Sequence, residues 1–197
     1  MCGRYYVDDE TMKEIEKILR NLDKGLNKAR TEGDVFPTNT AAVVQSENEH
    51  PLLCDMIWGF PQYNKKGVII NTRSETALEK RTFSESTRHR RCIIPAKGFY
   101  EWDKHKNKVS FERPDGQAIL LAGIWNIYEQ DKRFTILTTD ANESMVPVHS
   151  RMPLVLEQNE IQAWLDDDER VEFILRKRPC ELSIVSGYVQ QFLDFDS

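Results

Sequence analysis

The sequence predicts a single α+β domain, built mostly of antiparallel β-sheet with a few short helices. A chain of 197 residues is long enough for one hydrophobic core and does not require two. Its content of 40% hydrophobic, 10% aromatic and 30% charged residues is that of an ordinary globular protein. Many short runs of β-branched and aromatic residues follow one amphipathic segment, and no repeat or low-complexity linker separates them. We therefore expect residues 1–197 to form one domain.

The first predicted element is an amphipathic helix over residues 8–24. Its apolar side chains recur at steps of three and four residues, which places them on one helix face: Met12, Ile15, Ile18, Leu19 and Leu22. Asp8 or Asp9 can cap the first turn, because a carboxylate accepts hydrogen bonds from the free backbone amides there.

The next elements are strands, predicted from short segments rich in β-branched and aromatic residues. These segments are AAVVQ, LLCDMIWGF, GVIIN, CIIPAKGFYEW, KVSFE, AILLAGIWNIY, FTILTT and MPLVL. Short helices are predicted over residues 74–83, 160–167 and 169–178, followed by a last strand in LSIVS.

The charge and the apolar pattern exclude several classes of protein. No apolar run approaches the ~18 residues of a membrane span, and the N-terminal segment lacks the features of a signal peptide, so we expect a cytoplasmic protein. The four cysteines are far apart in sequence, so we expect neither a disulfide scaffold nor a metal site, and no cofactor is indicated.

A net charge of −5 argues against a generally basic surface, so any nucleic-acid site must be a local patch. One candidate is the basic run from Arg88 to Arg91, with Arg81 upstream. The alternative is a solvated basic turn.

Cys2 is the first residue with unusual chemistry, because it directly follows the initiator methionine in MCGR. Once Met1 is removed, Cys2 carries a free α-amine and a thiol on adjacent carbons, a pair that no internal cysteine offers. The rest of the chain must supply groups that use this pair.

Four further polar side chains stand near predicted strand ends. Asn71 and Arg73 are two residues apart in INTRSET, so they project to the same side of a strand. Glu101 lies between aromatic residues in GFYEW, where a carboxyl group can hold a raised pKa and act as an acid. His149 precedes Arg151 in VPVHSRMPLVL. Each residue alone also has a structural reading: a turn-forming Asn, a surface Arg, a half-exposed Glu, a hydrogen-bonding His. Together they resemble a covalent reaction site.

The ordered motifs of the chain resemble those of the SRAP family, the SOS response-associated peptidases. These motifs are MCGRYY, WGF, INTRSET, RRCIIPAKGFYEW, LAGIW, FTILTTDAN and VHSRMPLVL. The resemblance implies a protein that senses abasic sites in single-stranded DNA and captures them covalently through its N-terminal cysteine, with possible lyase activity. It implies Cys2 as nucleophile, Asn71 as positioning amide, and Glu101 and His149 as proton-transfer groups.

The resemblance also implies a DNA-binding surface. Arginines that face phosphates would be Arg4, Arg73, Arg81 and Arg151, and the aromatic side chains would be Trp58 of WGF and Tyr63 of the following PQYNKKG. The expected protein is a monomer that associates with the nucleoid when it binds DNA.

Two alternatives stay open. An N-terminal-nucleophile hydrolase or autopeptidase would use the Cys2 thiol against a peptide carbonyl, although only Met1 precedes Cys2. A noncatalytic module for single-stranded DNA would use the arginines and aromatic rings without a free amine at Cys2.

Overall fold

β-Strands make up the larger part of the regular structure in the computed structural model, which describes residues 2–22, 29–63 and 65–185. The strands are β1 (Arg4–Val7), β2 (Gly33–Val35), β3 (Thr40–Glu47), β4 (His50–Trp58), β5 (Phe60–Pro61), β6 (Val68–Ile69), β7 (Asn71–Arg73), β8 (Arg91–Ala96), β9 (Gly98–Trp102), β10 (Lys108–Glu112), β11 (Ile119–Tyr128), β12 (Asp131–Asp140), β13 (Arg151–Pro153), β14 (Val155–Leu156) and β15 (Ser183–Ile184). The α-helices are α1 (Asp9–Leu22), α2 (Ser84–His89), α3 (Ile161–Asp166) and α4 (Val171–Leu175).

The larger sheet closes on itself. Its strands follow the order β13-β12-β4-β3-β8-β11-β14, and β11 also pairs with β12, so that β12, β4, β3, β8 and β11 form a ring. Closure removes the exposed edges of these five strands. β7 pairs with β12 on the same edge as β4. Among the described strands, the parallel pairings are β12 with β4 and β12 with β7.

The second sheet has the order β15-β10-β9-β1-β2, and all of its pairings are antiparallel. Its inner face carries Tyr5, Phe99 and Phe111, which are fully buried. The Tyr5 ring lies 5.2 Å from the ring of Trp58 in the larger sheet, so aromatic contacts join the two sheets. The predicted α+β fold with mostly antiparallel strands is confirmed. The single domain over residues 1–197 stays a prediction, because residues 186–197 lie outside the described part.

The predicted first helix is confirmed as α1, with its final residues 23 and 24 outside the described part of the chain. Asp8 caps it, because the Asp8 carboxylate accepts a hydrogen bond from the Thr11 amide at 2.8 Å. Met12, Ile15 and Leu19 are buried against the strands, as their spacing predicts.

The prediction of a helix over residues 74–83 was wrong. This segment contains a 3₁₀ turn at Ser74–Thr76 followed by turns, and the α-helix begins only at Ser84. The buried apolar side chains of the segment are Ala77 and Phe83, six residues apart, so they cannot form the stripe that holds an amphipathic helix on a core. The two predicted C-terminal helices are present as α3 and α4.

Two strand predictions need correction. The single strand predicted in CIIPAKGFYEW is β8 and β9, which belong to different sheets. At the start of β9, a side chain on Gly98 would overlap the Tyr6 hydroxyl and the Phe111 carbonyl oxygen, so glycine permits this close approach. β1 and β2 were not predicted, although β1 is the strand that places Cys2.

Within the described residues, no helix combines the length and the apolar character that crossing a membrane requires.

Candidate functional site

Cys2 lies in the core because it stands two residues before β1, an interior strand of the second sheet. β1 pairs with β9 on one side and with β2 on the other, which draws the N-terminal segment between the two sheets. Cys2 has no exposed surface, and its thiol donates to the Arg4 carbonyl oxygen at 3.8 Å. The predicted nucleophile is therefore enclosed by protein.

Asn71 contacts Cys2 directly. It begins β7, which runs parallel to β12, and its Nδ2 group donates to the Cys2 carbonyl oxygen at 2.9 Å. This contact fixes the orientation of the amide, because a carbonyl oxygen can only accept. The other amide atom, Oδ1, is buried and has no hydrogen-bond partner among the described residues. It is an acceptor that a reacting group at Cys2 could use.

Glu101 faces the same interior space. It lies on β9 opposite Val109, on the face that also carries Phe99, and only 2% of its surface is exposed. Burial is the larger cause that raises the pKa of the Cys2 thiol far above its ordinary value, and the negative charge of Glu101 raises it further. The Cys2 thiol is thus held in its protonated form at neutral pH.

His149 lies in the turn that leads into β13. The Arg151 amide donates to His149 Nδ1 at 2.9 Å, and the Arg151 carbonyl oxygen lies 3.1 Å from the same nitrogen. Since an amide N–H can only donate, the contact with the Arg151 amide is a hydrogen bond in the tautomer that carries its hydrogen on Nε2, whereas the tautomer with its hydrogen on Nδ1 donates to the Arg151 carbonyl oxygen. Both tautomers therefore have a partner in the Arg151 backbone.

The strand register relates these segments. Thr138 of β12 pairs with Arg73 of β7 and also with Pro153 of β13, so β7 and β13 lie on opposite edges of β12. The structure therefore brings Cys2, Asn71 and Glu101 together, and it places the turn of His149 across one strand from β7.

The predicted DNA-facing arginines differ in their surroundings. Arg73 and Arg81 are exposed, and Arg73 shares a strand face with Asn71, as predicted. Arg4 instead forms an ion pair with Asp34, and its guanidinium carbon lies 4.5 Å from the Phe36 ring centre and 5.1 Å from that of Tyr100.

Arg151 is the most constrained of the four. Its two terminal nitrogens donate to both carboxylate oxygens of Glu75, at 2.5 and 2.8 Å, and also to Asp140 Oδ1 at 2.6 Å and the Thr138 carbonyl oxygen at 2.7 Å. Its side chain is 12% exposed. The two carboxylates balance its charge within the protein.

The two predicted aromatic contacts also differ. Tyr63 is 92% exposed and available to a ligand. Trp58 has no exposed surface, stacks on Phe134 with ring centres 6.2 Å apart, and donates from Nε1 to the Ile70 carbonyl oxygen at 3.0 Å. Stacking on a base needs an accessible ring face, which Trp58 lacks in this structure, so its contact with DNA stays a prediction.

The candidate basic patch at residues 88–91 is not a continuous cationic surface. Arg91 is buried and donates to the carbonyl oxygens of Thr87 and Arg88 near the end of α2, and to those of Trp164 and Leu165 near the end of α3. This side chain joins two helix ends, a structural role.

Across the described ranges, no group of three or more His, Cys, Asp or Glu side chains is arranged to hold a metal ion.

Sequence reasoning missed Glu75, which follows Asn71 and Arg73 in INTRSET and pairs with Arg151. The two-residue spacing was a usable signal. The strand ends at Arg73, however, so the alternation of side chains between the two faces of a strand does not extend to Glu75 and does not predict its direction.

Comparison with known proteins gives the family. The chain belongs to the family described as SOS response associated peptidase (SRAP), whose model matches residues 1–190. Similar proteins include the abasic site processing proteins YoqW of Bacillus subtilis, 31% identical over 182 residues, and YedK of Escherichia coli, 28% identical over 176 residues. Each match covers 84% of this chain, with 80% of YoqW and 79% of YedK.

Solved structures share the fold. A phage-related protein from Bordetella bronchiseptica matches with a TM-score of 0.76 at 21% identity, covering 93% of this chain and 94% of its own. A protein from Bacteroides thetaiotaomicron matches with a TM-score of 0.72 at 19% identity, covering 94% of this chain and 93% of its own.

Proposed function

We propose that this protein senses abasic sites in single-stranded DNA and captures them covalently through Cys2 after Met1 is removed. The observation that carries the proposal is the contact of Asn71 with Cys2 beside the buried carboxyl group of Glu101. Relatives in the same family are named abasic site processing proteins, which supports DNA as the substrate.

The chemistry of an abasic sugar matches an N-terminal cysteine. Its open-chain aldehyde reacts with a neutral amine to give an imine and water. An α-amine, with an ordinary pKa of about 7.7 to 8.0, is neutral at pH 7 far more often than a lysine side chain. The Cys2 thiol then adds to the imine carbon, a C–S bond forms, and the thiol proton moves to the nitrogen. The product is a five-membered thiazolidine ring, and its closure is favoured because the thiol is already adjacent.

This order of steps suits the state of the thiol. In the chain that carries Met1, burial and Glu101 raise the pKa of the Cys2 thiol, so little thiolate exists at neutral pH. The amine attacks first in our mechanism, and the thiol follows as a neutral group that loses its proton during addition.

The neighbouring groups have separate roles. Glu101 is the proton-transfer group for the sugar ring oxygen as the ring opens, or for the hydroxyl group that leaves as water. Asn71 holds the Cys2 carbonyl through Nδ2 and offers Oδ1 to the amine or to a sugar hydroxyl. His149 takes or returns a proton through Nε2, since its Nδ1 is engaged by Arg151.

DNA contacts are assigned by exposure. Arg73 and Arg81 present free cationic surface for phosphates, and Tyr63 presents a ring for stacking. These contacts carry no base readout, because the absent base is the signal. Cys2 has no exposed surface in the chain that carries Met1, so removal of Met1 or movement of the surrounding residues must open the site before the sugar reaches it.

Other reactions at the same site give different products. A peptidase would cleave a peptide through the thiol, which the raised pKa of Cys2 disfavours. A lyase would remove a proton from the sugar of the imine and break the DNA strand. A noncatalytic module would bind reversibly with strong salt dependence.

The test is a denaturing gel of trimmed protein with an oligonucleotide that contains one abasic site. Wild type should give an adduct that survives heat, and Cys2→Ala should lose it. Cys180→Ala is the matched control, because Cys180 is a half-buried free cysteine outside the site, and it should keep the adduct. A heat-stable adduct of undiminished yield with Cys2→Ala would refute the thiazolidine.

A further inference from the structure

Glu75 is joined to Arg151 by a paired, charge-assisted contact. Both Glu75 carboxylate oxygens accept hydrogen bonds from the two terminal guanidinium nitrogens, at 2.5 and 2.8 Å. This two-pronged geometry fixes the plane of the guanidinium as well as its distance. Burial is the largest single effect on Glu75 and opposes its ionisation, but the hydrogen bonds from Arg151, a backbone hydrogen bond and the charges of Arg151 and Arg73 together outweigh it and lower the pKa of the carboxyl group. The pair therefore stays ionised at neutral pH.

The contact connects two segments that carry proposed site residues. Glu75 belongs to the 3₁₀ turn directly after β7, the strand of Asn71 and Arg73. Arg151 begins β13, which pairs with β12 on the edge opposite to β7. The ion pair thus crosses β12 and ties the two strands together at one end.

Arg151 in turn holds the ring of His149. Its backbone amide and carbonyl oxygen both meet His149 Nδ1, at 2.9 and 3.1 Å. A shift of the Arg151 backbone therefore moves the imidazole or changes which of its nitrogens carries hydrogen.

We propose that Glu75 is a positioning residue for His149: through the guanidinium of Arg151 it fixes the start of β13, and with it the orientation and tautomer of the imidazole. The proposal rests on the role of His149 in the proposed function.

The same contacts argue against a direct phosphate contact by Arg151. Its terminal nitrogens already meet Glu75, Asp140 and the Thr138 carbonyl oxygen. A phosphate would have to displace one of two carboxylates that balance the guanidinium charge. Arg73 is exposed on β7, on the other edge of β12, and its charge acts on Glu75 without a hydrogen bond to a carboxylate among the described residues.

The kinetic test uses Glu75→Gln, which keeps the side-chain shape and removes the charge. With saturating abasic DNA, the rate constant of adduct formation should fall about tenfold, since small displacements of a reacting group cost up to about 100-fold. The slope of log K against log salt for DNA binding should stay that of wild type, because no phosphate contact is gained or lost, whereas the affinity itself should rise slightly since the Glu75 charge beside Arg73 is removed. Glu79→Gln is the matched control, an exposed glutamate four residues along the same segment, and it should behave as wild type.

Arg151→Lys adds a second kinetic variant. This substitution keeps the positive charge but loses the planar guanidinium group that makes the two-pronged hydrogen bond. It should therefore slow capture about as much as Glu75→Gln does. The double variant should be no slower than either single variant, because all three remove one interaction.

A second readout does not need activity. The chain has four histidines, so the ring signals in a long-range ¹⁵N–¹H NMR spectrum can be assigned to His149 by comparison with His149→Gln. Wild type without DNA should show hydrogen on Nε2, and Glu75→Gln should show a mixture of the two tautomers.

Several results would overturn the proposal. A steeper salt dependence of DNA binding in Glu75→Gln, with a normal rate at saturation, would mean that the released Arg151 guanidinium contacts a phosphate. An unchanged rate and an unchanged ring spectrum would leave Glu75 without a role, and an equal loss in Glu79→Gln would make the effect nonspecific. If wild type forms no adduct, the proposed function fails, and the ring spectrum still decides the role of Glu75.

Discussion

Replacing Asn71 by aspartate tests how much the contact with Cys2 contributes to capture. The substitution preserves shape but exchanges the donor Nδ2 for an acceptor, so the hydrogen bond to the Cys2 carbonyl oxygen at 2.9 Å is lost. Leaving a buried carbonyl without its partner costs about 1 to 3 kcal/mol. If that contact is required in the transition state, the capture rate should fall by about 5-fold to about 150-fold.

The assay is single-turnover adduct formation at saturating abasic DNA, with the free energy of unfolding measured in urea beside it. Asn126→Asp is the matched control, because Asn126 Oδ1 accepts from the Ile127 amide at 2.9 Å and a carboxylate can still accept there. A capture rate for Asn71→Asp within about twofold of wild type would refute the positioning role, since even the lower limit is about fivefold.

Three further substitutions test separate parts of the account. Glu101→Gln keeps the shape of the buried side chain and removes its titratable proton, so the rate of capture should fall by about 10²-fold to 10⁴-fold. A single-turnover rate within about twofold of wild type would show that Glu101 has only a structural role. Arg73→Ala should weaken binding of single-stranded DNA about equally for all base sequences. It should also reduce the slope of log K against log salt by about 0.7, as expected for one lost phosphate contact, and titrations with an unchanged slope would exclude that contact. Arg91→Met should lower the free energy of unfolding, measured in urea, by about 3 kcal/mol or more, because carbonyl oxygens at two helix ends lose a buried donor. An unchanged midpoint of urea unfolding would show that Arg91 does not hold α2 and α3 together.

The sequence predicted most of the sheet because short apolar runs bounded by turn residues carry strong local signals. It failed where the signal was not local. β1 was missed because its four residues, RYYV, are too short to show alternation, and its place in the centre of a sheet depends on β9, more than ninety positions away in sequence. The break between β8 and β9 could not be seen for the same reason, since each half pairs with different partners.

The candidate site was predictable in its residue types and only partly in its arrangement. The two-residue spacing of Asn71 and Arg73 correctly predicted a shared strand face. The contact of Asn71 with Cys2 depends on how two sheets pack, which no spacing encodes. The burial of Trp58 was not visible in the sequence because exposure depends on how the core packs, and Glu75 was missed because its partner lies in a distant segment.

The central claim is that a free α-amine on Cys2 captures the abasic sugar. While Met1 is present, the nitrogen of Cys2 is an amide, whose lone pair is delocalised into the carbonyl, so it cannot form an imine. Two samples should be prepared, one trimmed to Cys2 and one that carries an uncleavable residue ahead of Cys2, and each confirmed by intact mass. We expect both to bind single-stranded DNA alike, because their arginines are the same. Only the trimmed protein should give an adduct that survives heat and denaturant, with a mass equal to protein plus DNA minus one water. Equal adduct yields from the two samples would contradict capture through the N-terminus of Cys2.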